Sequence, residues 1–193
     1  MVAAALVPGS DLLLKNVGLN RTRQGIIQVL LAMGAKLTIL NPRQQGGEDV
    51  GDVRVCYAGR LRGIAIPEDL VPSLIDEIPV ILSLAAVSEG ITSVRGAAEL
   101  RVKESDRLDV MARGLEVLGV SLRQYEDGID ITGGIVGSGT VDGAGDHRCA
   151  MSFAVLGQVA SGDISIRGAE NINTSFPSFC QDMVTVGGGV KNV

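Results

Sequence analysis

Tryptophan is absent, and tyrosine and phenylalanine together supply only five of the 193 residues. A core without aromatics must be filled by Val, Ile, Leu and Ala, which suits an α/β interior. A single histidine, His147, excludes a histidine-rich metal site. The three cysteines (Cys56, Cys149, Cys180) include no CxxC pair. An odd, unpatterned set of that kind reads as reduced thiols in a cytosolic protein. Positive charge is also short: the formal net charge is −5, which argues against a nucleic-acid binder that relies on bulk positive potential. No apolar run reaches the ~18 residues of a membrane span. Neither a GxxxxGKS phosphate loop nor a GxGxxG dinucleotide fingerprint occurs.

What the chain has in abundance is glycine and repetition. Short apolar strands at Asp11–Val17, Ile91–Arg95 and Ile164–Arg167 each run into a glycine, at Gly18, Gly96 and Gly168. Each is followed by an amphipathic helix with 3-and-4 spacing. The predicted core positions are Ile26, Leu30 and Met33; then Leu108, Met111, Leu115 and Leu118; then Phe176, Phe179, Met183 and Val186. Each of these helices ends at a glycine: Gly34, Gly119 or Gly187. A second helix type, made of small residues and apolar nearly all round, is predicted at Val2–Val7, Pro79–Val87 and Cys149–Val159. Gly9, Gly90 and Gly162 are its expected C-caps. Further strands are expected at Lys36–Leu40, Val53–Tyr57, Gly63–Ile66, Val120–Gln124, Gly128–Thr132 and Gly139–Val141. Asn41–Glu48 reads as a loop. Asn20, Ser105 and Asn173 sit where helix N-caps belong. The repeats fall at roughly 1–66, 67–141 and 142–193. The first and last are truncated, so a fragment of a longer protein is expected.

The middle copy is longer. Gly18 to Gly34 spans 16 residues, Gly168 to Gly187 spans 19, and Gly96 to Gly119 spans 23. The surplus lies around Ala98 to Glu104 and carries Arg101, Lys103 and Glu104. If the following helix includes them, Lys103 and Arg107 fall four apart and Glu104 and Arg107 three apart on one face. Two cations at a helix N-terminus oppose the macrodipole. They make sense around a bound anion, which helix N–H groups and basic side chains hold together. A solvated charge run paired by Glu104 is the bland alternative. Arg148 lies 14 residues before Gly162, and Asp76 lies 14 before Gly90, so they occupy equivalent helix starts. Mutual pairing, or capping with Asp76 and Asp146 accepting helix N–H bonds, is the structural alternative there. A shared pocket would hold Lys103, Arg107 and Arg148 as cations, Asp76 and Glu104 as carboxylates, and His147. Cations with carboxylates suit proton transfer on a polyanionic substrate.

Leu100-Arg-Val-Lys-Glu-Ser-Asp-Arg-Leu108, Gly145-Asp-His-Arg-Cys-Ala-Met151 and Thr174-Ser-Phe-Pro177, with Ile75-Asp-Glu-Ile-Pro79, resemble signatures of the 5-enolpyruvylshikimate-3-phosphate synthase family. The resemblance covers nearly the whole chain and implies a single C-terminal lobe (1–193) of a two-lobe enzyme about twice as long. The fold it implies is α/β: a partly incomplete inside-out barrel lobe of repeated βαβαββ units, with helices inside. The implied reaction moves the enolpyruvyl group of phosphoenolpyruvate to the 5-hydroxyl of shikimate 3-phosphate and releases phosphate. The implied partner is the missing N-terminal lobe, the location cytoplasmic, and no cofactor, metal, nucleic acid or membrane takes part. By resemblance, Asp76 binds a shikimate hydroxyl and acts as base, Lys103 contacts the target hydroxyl, and Glu104 shuttles the proton. Arg107 and Arg148 hold phosphoenolpyruvate, with His147 beside them. The chain departs from the family pattern at Thr174 (lysine in some members), Glu99 (asparagine in others) and Cys149 (usually aliphatic). Two other readings share the scaffold: the related UDP-N-acetylglucosamine enolpyruvyl transferase, and a non-catalytic anion-binding module.

Overall fold

Helices that are apolar nearly all round belong in a core, and the computed structural model, which describes residues 1–191, builds its centre from three helices that bury most of their residues. They are α1 (Val2–Leu6), α3 (Ile78–Val87) and α5 (His147–Gly157), with α3 packed against both others. Ser83 and Ser152 are buried at the α3–α5 contact, and the Ser83 hydroxyl donates to the Ser152 carbonyl at 2.9 Å. That bond ties the two helices while leaving no orphaned hydroxyl. Val7 and Ser88, rather than the expected Gly9 and Gly90, are the C-caps of α1 and α3; the glycines turn the chain two residues later with φ of 79° and 82°. Gly162 does not cap α5, which ends at Gly157 with Gln158 as its C-cap. Its lack of a side chain serves packing instead: a Cβ there would lie 2.9 Å from that of Ser138.

Two antiparallel sheets cover this centre. β1 (Asp11–Gly18), β2 (Lys36–Gln45) and β3 (Glu48–Cys56) pair in the order β1-β3-β2. β4 (Ile91–Val94), β5 (Ser121–Tyr125) and β6 (Gly128–Thr132) pair in the equivalent order β4-β6-β5. Alternation sets the faces: Val53 and Val55, like Ile129 and Ile131, are buried, while Arg54 points out. β7 (Gly139–Asp142) and β8 (Ile164–Arg167) form a separate parallel pair.

The amphipathic helices α2 (Gly25–Ala32) and α4 (Arg107–Val117) bury the expected Ile26, Leu30, Leu108, Met111 and Leu115. The third predicted helix is broken into α6 (Ile172–Ser175) and α7 (Phe179–Thr185). Pro177 lacks an N–H and pushes Phe176 to an extended conformation, φ −144° and ψ 77°. Phe179 and Met183 are buried as expected, but Phe176 and Val186 are exposed. The predicted loop Asn41–Glu48 is also corrected: it is the far end of a β2–β3 hairpin. Gln45 pairs with Glu48 across Gly46-Gly47, both with positive φ as a tight hairpin turn requires. Pro42 is tolerated because it sits in a bulge of an edge strand. The strand expected at Gly63–Ile66 is reduced to isolated bridges at Arg62 and Ala65.

Of the expected caps, Asn20 accepts the Thr22 N–H at 3.1 Å, but on a single 3-10 turn, Arg21–Arg23. At α4 the cap is Asp106 rather than Ser105. Asn173 lies inside α6. Residues 192–193, the end of the third expected repeat, lie outside the described residues.

Candidate active site

The surplus of the middle copy folds as a 3-10 turn, Ala98–Val102, anchored by the fully buried Leu100. Asp106 accepts the Asp109 N–H and starts α4, so the first helical residue is Arg107. The expectation that Lys103 and Glu104 share this helix is therefore corrected: both precede it. Lys103 is instead hydrogen-bonded to Glu99, the position where the family pattern differs.

Arg107 points inward and is 1% exposed. Its guanidinium meets three carboxylates: Asp146 through Nε at 2.8 Å, Asp76 through Nη1 at 3.4 Å, and Glu104 through Nη2. Burial works against the charge, but the Asp146 bond and the negative charge of Asp146 and Glu104 raise its pKa overall. Asp146, 0% exposed, does two tasks at once. Its Oδ1 caps α5 by accepting the Arg148 and Cys149 N–H groups at 2.9 and 3.4 Å. Its Oδ2 accepts from Arg107 and from the Ser105 hydroxyl at 3.2 Å. Burial pushes the Asp146 carboxyl up; the guanidinium and the helix N–H groups more than offset this and hold it below its usual value. The capping alternative was thus correct for Asp146 but incomplete, because the same carboxylate is the counter-ion of Arg107. For Asp76 it fails, since the N-cap of α3 is Glu77, with no side-chain cap bond, and Asp76 pairs with Arg148 instead.

Asp76 sits just before α3, on a 3-10 turn at Ile75–Glu77. Arg23, Arg107 and Arg148 each reach it at 3.4 Å. Arg148 also donates to the Asp76 carbonyl at 3.1 Å. Partial burial raises the Asp76 pKa, yet Arg148, Arg23, Arg107 and Lys103 bring it below the usual range. Beside it, burial raises the pKa of Glu77, whose Oε2 is buried without a hydrogen-bond partner.

The structure therefore brings Asp76, Glu104, Arg107 and Arg148 into one ion-pair network, with Asp146 beneath. Lys103 lies beside it, close enough to act on Asp76 electrostatically. His147 is the first residue of α5 and half-buried, outside that network. Thr174, where some family members carry lysine, donates its hydroxyl to the Asn171 carbonyl at 2.7 Å. Sequence reasoning missed Arg23, which lies 53 residues from Asp76. The usable signal was positional, since Arg23 follows Asn20 much as Arg107 follows Ser105.

Such a network can hold a small dianion and keep a carboxylate ionised beside it. In the resting arrangement, however, Arg107 has no exposed surface to offer. Asp146 is fixed as a cap, whereas the Glu104 side chain is 56% exposed and stands on the segment before α4. Of the three carboxylates on Arg107, Glu104 is the most exposed.

Comparison with known proteins identifies a family. Residues 1–183 match the family EPSP synthase (3-phosphoshikimate 1-carboxyvinyltransferase). The 3-phosphoshikimate 1-carboxyvinyltransferase of Legionella pneumophila (strain Corby) is 51% identical over 179 residues, 93% of this chain and 41% of that protein. A 2.37 Å structure of EPSP synthase from Acinetobacter baumannii superposes with a TM-score of 0.96 at 44% identity, covering 98% of this chain and 44% of that one. The enolpyruvyl transferase NikO from Streptomyces tendae shares the fold, with a TM-score of 0.76 at 18% identity over the whole chain and 42% of its own. The chain thus spans about two fifths of the length of the relatives it matches. By the family match, the sequence identity and the shared inside-out α/β fold, this chain belongs to the EPSP synthase family.

Proposed function

We propose that this chain is one lobe, the C-terminal one, of a cytoplasmic enzyme that transfers the enolpyruvyl group of phosphoenolpyruvate to the 5-hydroxyl of shikimate 3-phosphate and releases phosphate. The observation that carries this is the convergence of Arg23, Arg107 and Arg148 on one carboxylate, Asp76, within 3.4 Å, beside Lys103 and Glu104.

The reaction has two halves. In addition, a proton is delivered to the methylene carbon of phosphoenolpyruvate, the hydroxyl oxygen bonds to the neighbouring carbon, and the hydroxyl proton is lost. In elimination, a proton leaves the new methyl group, the carbon–oxygen bond to phosphate breaks, and the double bond returns. Asp76, ionised between arginines, is in the form that accepts the hydroxyl proton. Its basicity is low while three guanidinium groups face it, and rises as they turn to the substrate's own anions. Lys103 contacts the reacting hydroxyl. Arg107 and Arg148 hold the phosphoenolpyruvate anion, with His147 beside them. An incoming anion displaces Glu104 from Arg107, and the released carboxylate is then the group that shuttles the proton to and from carbon. Binding and arming of the proton carrier are one event.

The partner is the remaining lobe, which supplies the other ligands. Alone, the chain binds its substrates weakly and does not turn over. The test is to combine it with the complementary part of a relative and assay phosphate release. The proposal expects release that requires both phosphoenolpyruvate and shikimate 3-phosphate. Turnover by this chain alone, or turnover that requires UDP-N-acetylglucosamine instead, would overturn it.

A further inference from the structure

Arg101 stands in the surplus segment of the middle copy, yet nothing in the proposed reaction uses it. Its guanidinium is engaged on three sides. Nε donates to the Glu126 carbonyl, in the turn between β5 and β6, and Nη2 to the carbonyl of Tyr125, the last residue of β5. Nη1 pairs with Asp106 Oδ2 at 2.8 Å, while the other oxygen of Asp106 caps α4. One planar fork thus joins the β5–β6 turn to the start of α4, and the chain it closes, residues 102–105, carries both Lys103 and Glu104.

The turn is itself a firm support. Asp127 accepts the Gly96 N–H through its side chain at 2.9 Å and the Ala97 N–H through its carbonyl at 2.7 Å. Tyr125 lies under the Arg95 guanidinium, 3.8 Å from the ring centroid, and its hydroxyl donates to Asp130 at 2.8 Å. Between these anchors, Val102 is exposed and Lys103 is held from the same segment, by Glu99, while Glu104 and Ser105 reach inward to Arg107 and Asp146.

We propose that Arg101 is a positioning residue: by clamping the β5–β6 turn to the Asp106 cap, it fixes the loop on which Lys103 and Glu104 are presented. Three donors in one rigid plane suit this task, and lysine, a single point charge on a flexible stem, cannot reproduce it. Arg107 and Arg148 are anchored independently, by Asp146 and by the Asp76 carbonyl. Loss of Arg101 should therefore disturb proton handling more than anion binding.

The test compares Arg101→Lys and Arg101→Gln with the unaltered 193-residue chain by amide hydrogen exchange. The expected result is exchange about tenfold faster at Leu100 and Asp109, the hydrogen-bonded amides on either side of the loop, with protection at Met111 and Leu115 in α4 unchanged. Unchanged exchange at Leu100 and Asp109, or equal loss of protection throughout α4, overturns the clamp. The second arm rests on the proposed reaction. In the chain combined with its complementary part, Arg101→Lys should lower kcat about 10- to 100-fold and leave the KM for phosphoenolpyruvate within about threefold. An unchanged kcat alongside a loosened loop overturns the positioning role. If the unaltered combined protein shows no transfer, the proposed reaction fails, while the exchange result still decides the clamp.

Discussion

Replacing Asp146 by asparagine removes one charge from the most buried ion pair in the molecule and almost nothing else. The residue is 0% exposed and its partner Arg107 is 1% exposed. Asparagine can keep the cap of α5, because its amide oxygen still accepts the Arg148 and Cys149 N–H groups. The amide nitrogen then faces the Arg107 Nε–H and the Ser105 hydroxyl, so a donor opposes a donor where a carboxylate oxygen stood. Stranding one member of a buried pair costs about 3–5 kcal/mol. The lower end applies, since Glu104 and Asp76 still face Arg107. D146N should therefore destabilise the chain by about 3 kcal/mol. D146A should add the lost cap, about 1 kcal/mol more. Urea unfolding followed by circular dichroism reads both, and for a chain of this length D146N corresponds to a drop in Tm of roughly 6–12 °C. The ordering is as informative as the size. D146N within about 0.5 kcal/mol of the unaltered chain would refute Asp146 as the counter-ion of Arg107. D146N equal to D146A would refute its separate role as a cap.

Gly114 in α4 faces Phe153 of α5, and a Cβ there would fall 2.2 Å from Phe153 Cζ. Overpacking costs about 1–3 kcal/mol and the helix-propensity gain returns about 1 kcal/mol. G114A should thus lower stability by up to about 2 kcal/mol in the same assay, whereas G114A above the unaltered chain would contradict the packing. The Arg95 guanidinium beside Asp130 holds that carboxyl at about 2, against a usual 3.8. A depressed carboxylate stabilises the fold above its unfolded pKa and loses that contribution as pH falls through the folded one. The acid limb between pH 3.8 and 2 should flatten in R95Q, and an unaltered limb would remove Asp130 as its source. Burial pushes the Cys149 thiol up to about 12. A thiol reagent at neutral pH should leave Cys149 unlabelled in the folded chain and label it in denaturant, as peptide mapping would reveal; rapid labelling when folded would contradict its burial.

Most strands and helices were legible because glycine and apolar spacing are local signals; that the two three-stranded sheets share one strand order was not read from them. The hairpin beyond Leu40 was not legible. Pro42 and Gly46-Gly47 read as breakers, although a bulged edge strand accommodates the proline and a tight turn requires the glycines. The third amphipathic helix failed for the opposite reason: its spacing was sound, but Pro177 overrode it. At the site, the motif residues Asp76, Glu104, Arg107 and Arg148 do converge. Arg23 escaped notice because no periodicity links a surface arginine to a carboxylate 53 residues away. Asp146 was seen only as a cap, since spacing can reveal a helix start but not the guanidinium beneath it. The pairing of Lys103 with Glu99 was hidden by the assumption that α4 begins earlier than it does.

In the proposed reaction a small dianion enters among Arg107, Arg148 and Asp76 by displacing Glu104. The most direct measurement is NMR of the arginine side-chain Nε–H signals in the combined protein, titrated with phosphoenolpyruvate in the presence of shikimate 3-phosphate. The Arg107 and Arg148 signals should shift together and saturably, and Glu104→Ala should tighten phosphoenolpyruvate binding while turnover is lost. Saturated binding that leaves both signals unmoved, or a Glu104→Ala variant that binds phosphoenolpyruvate no better, would contradict it.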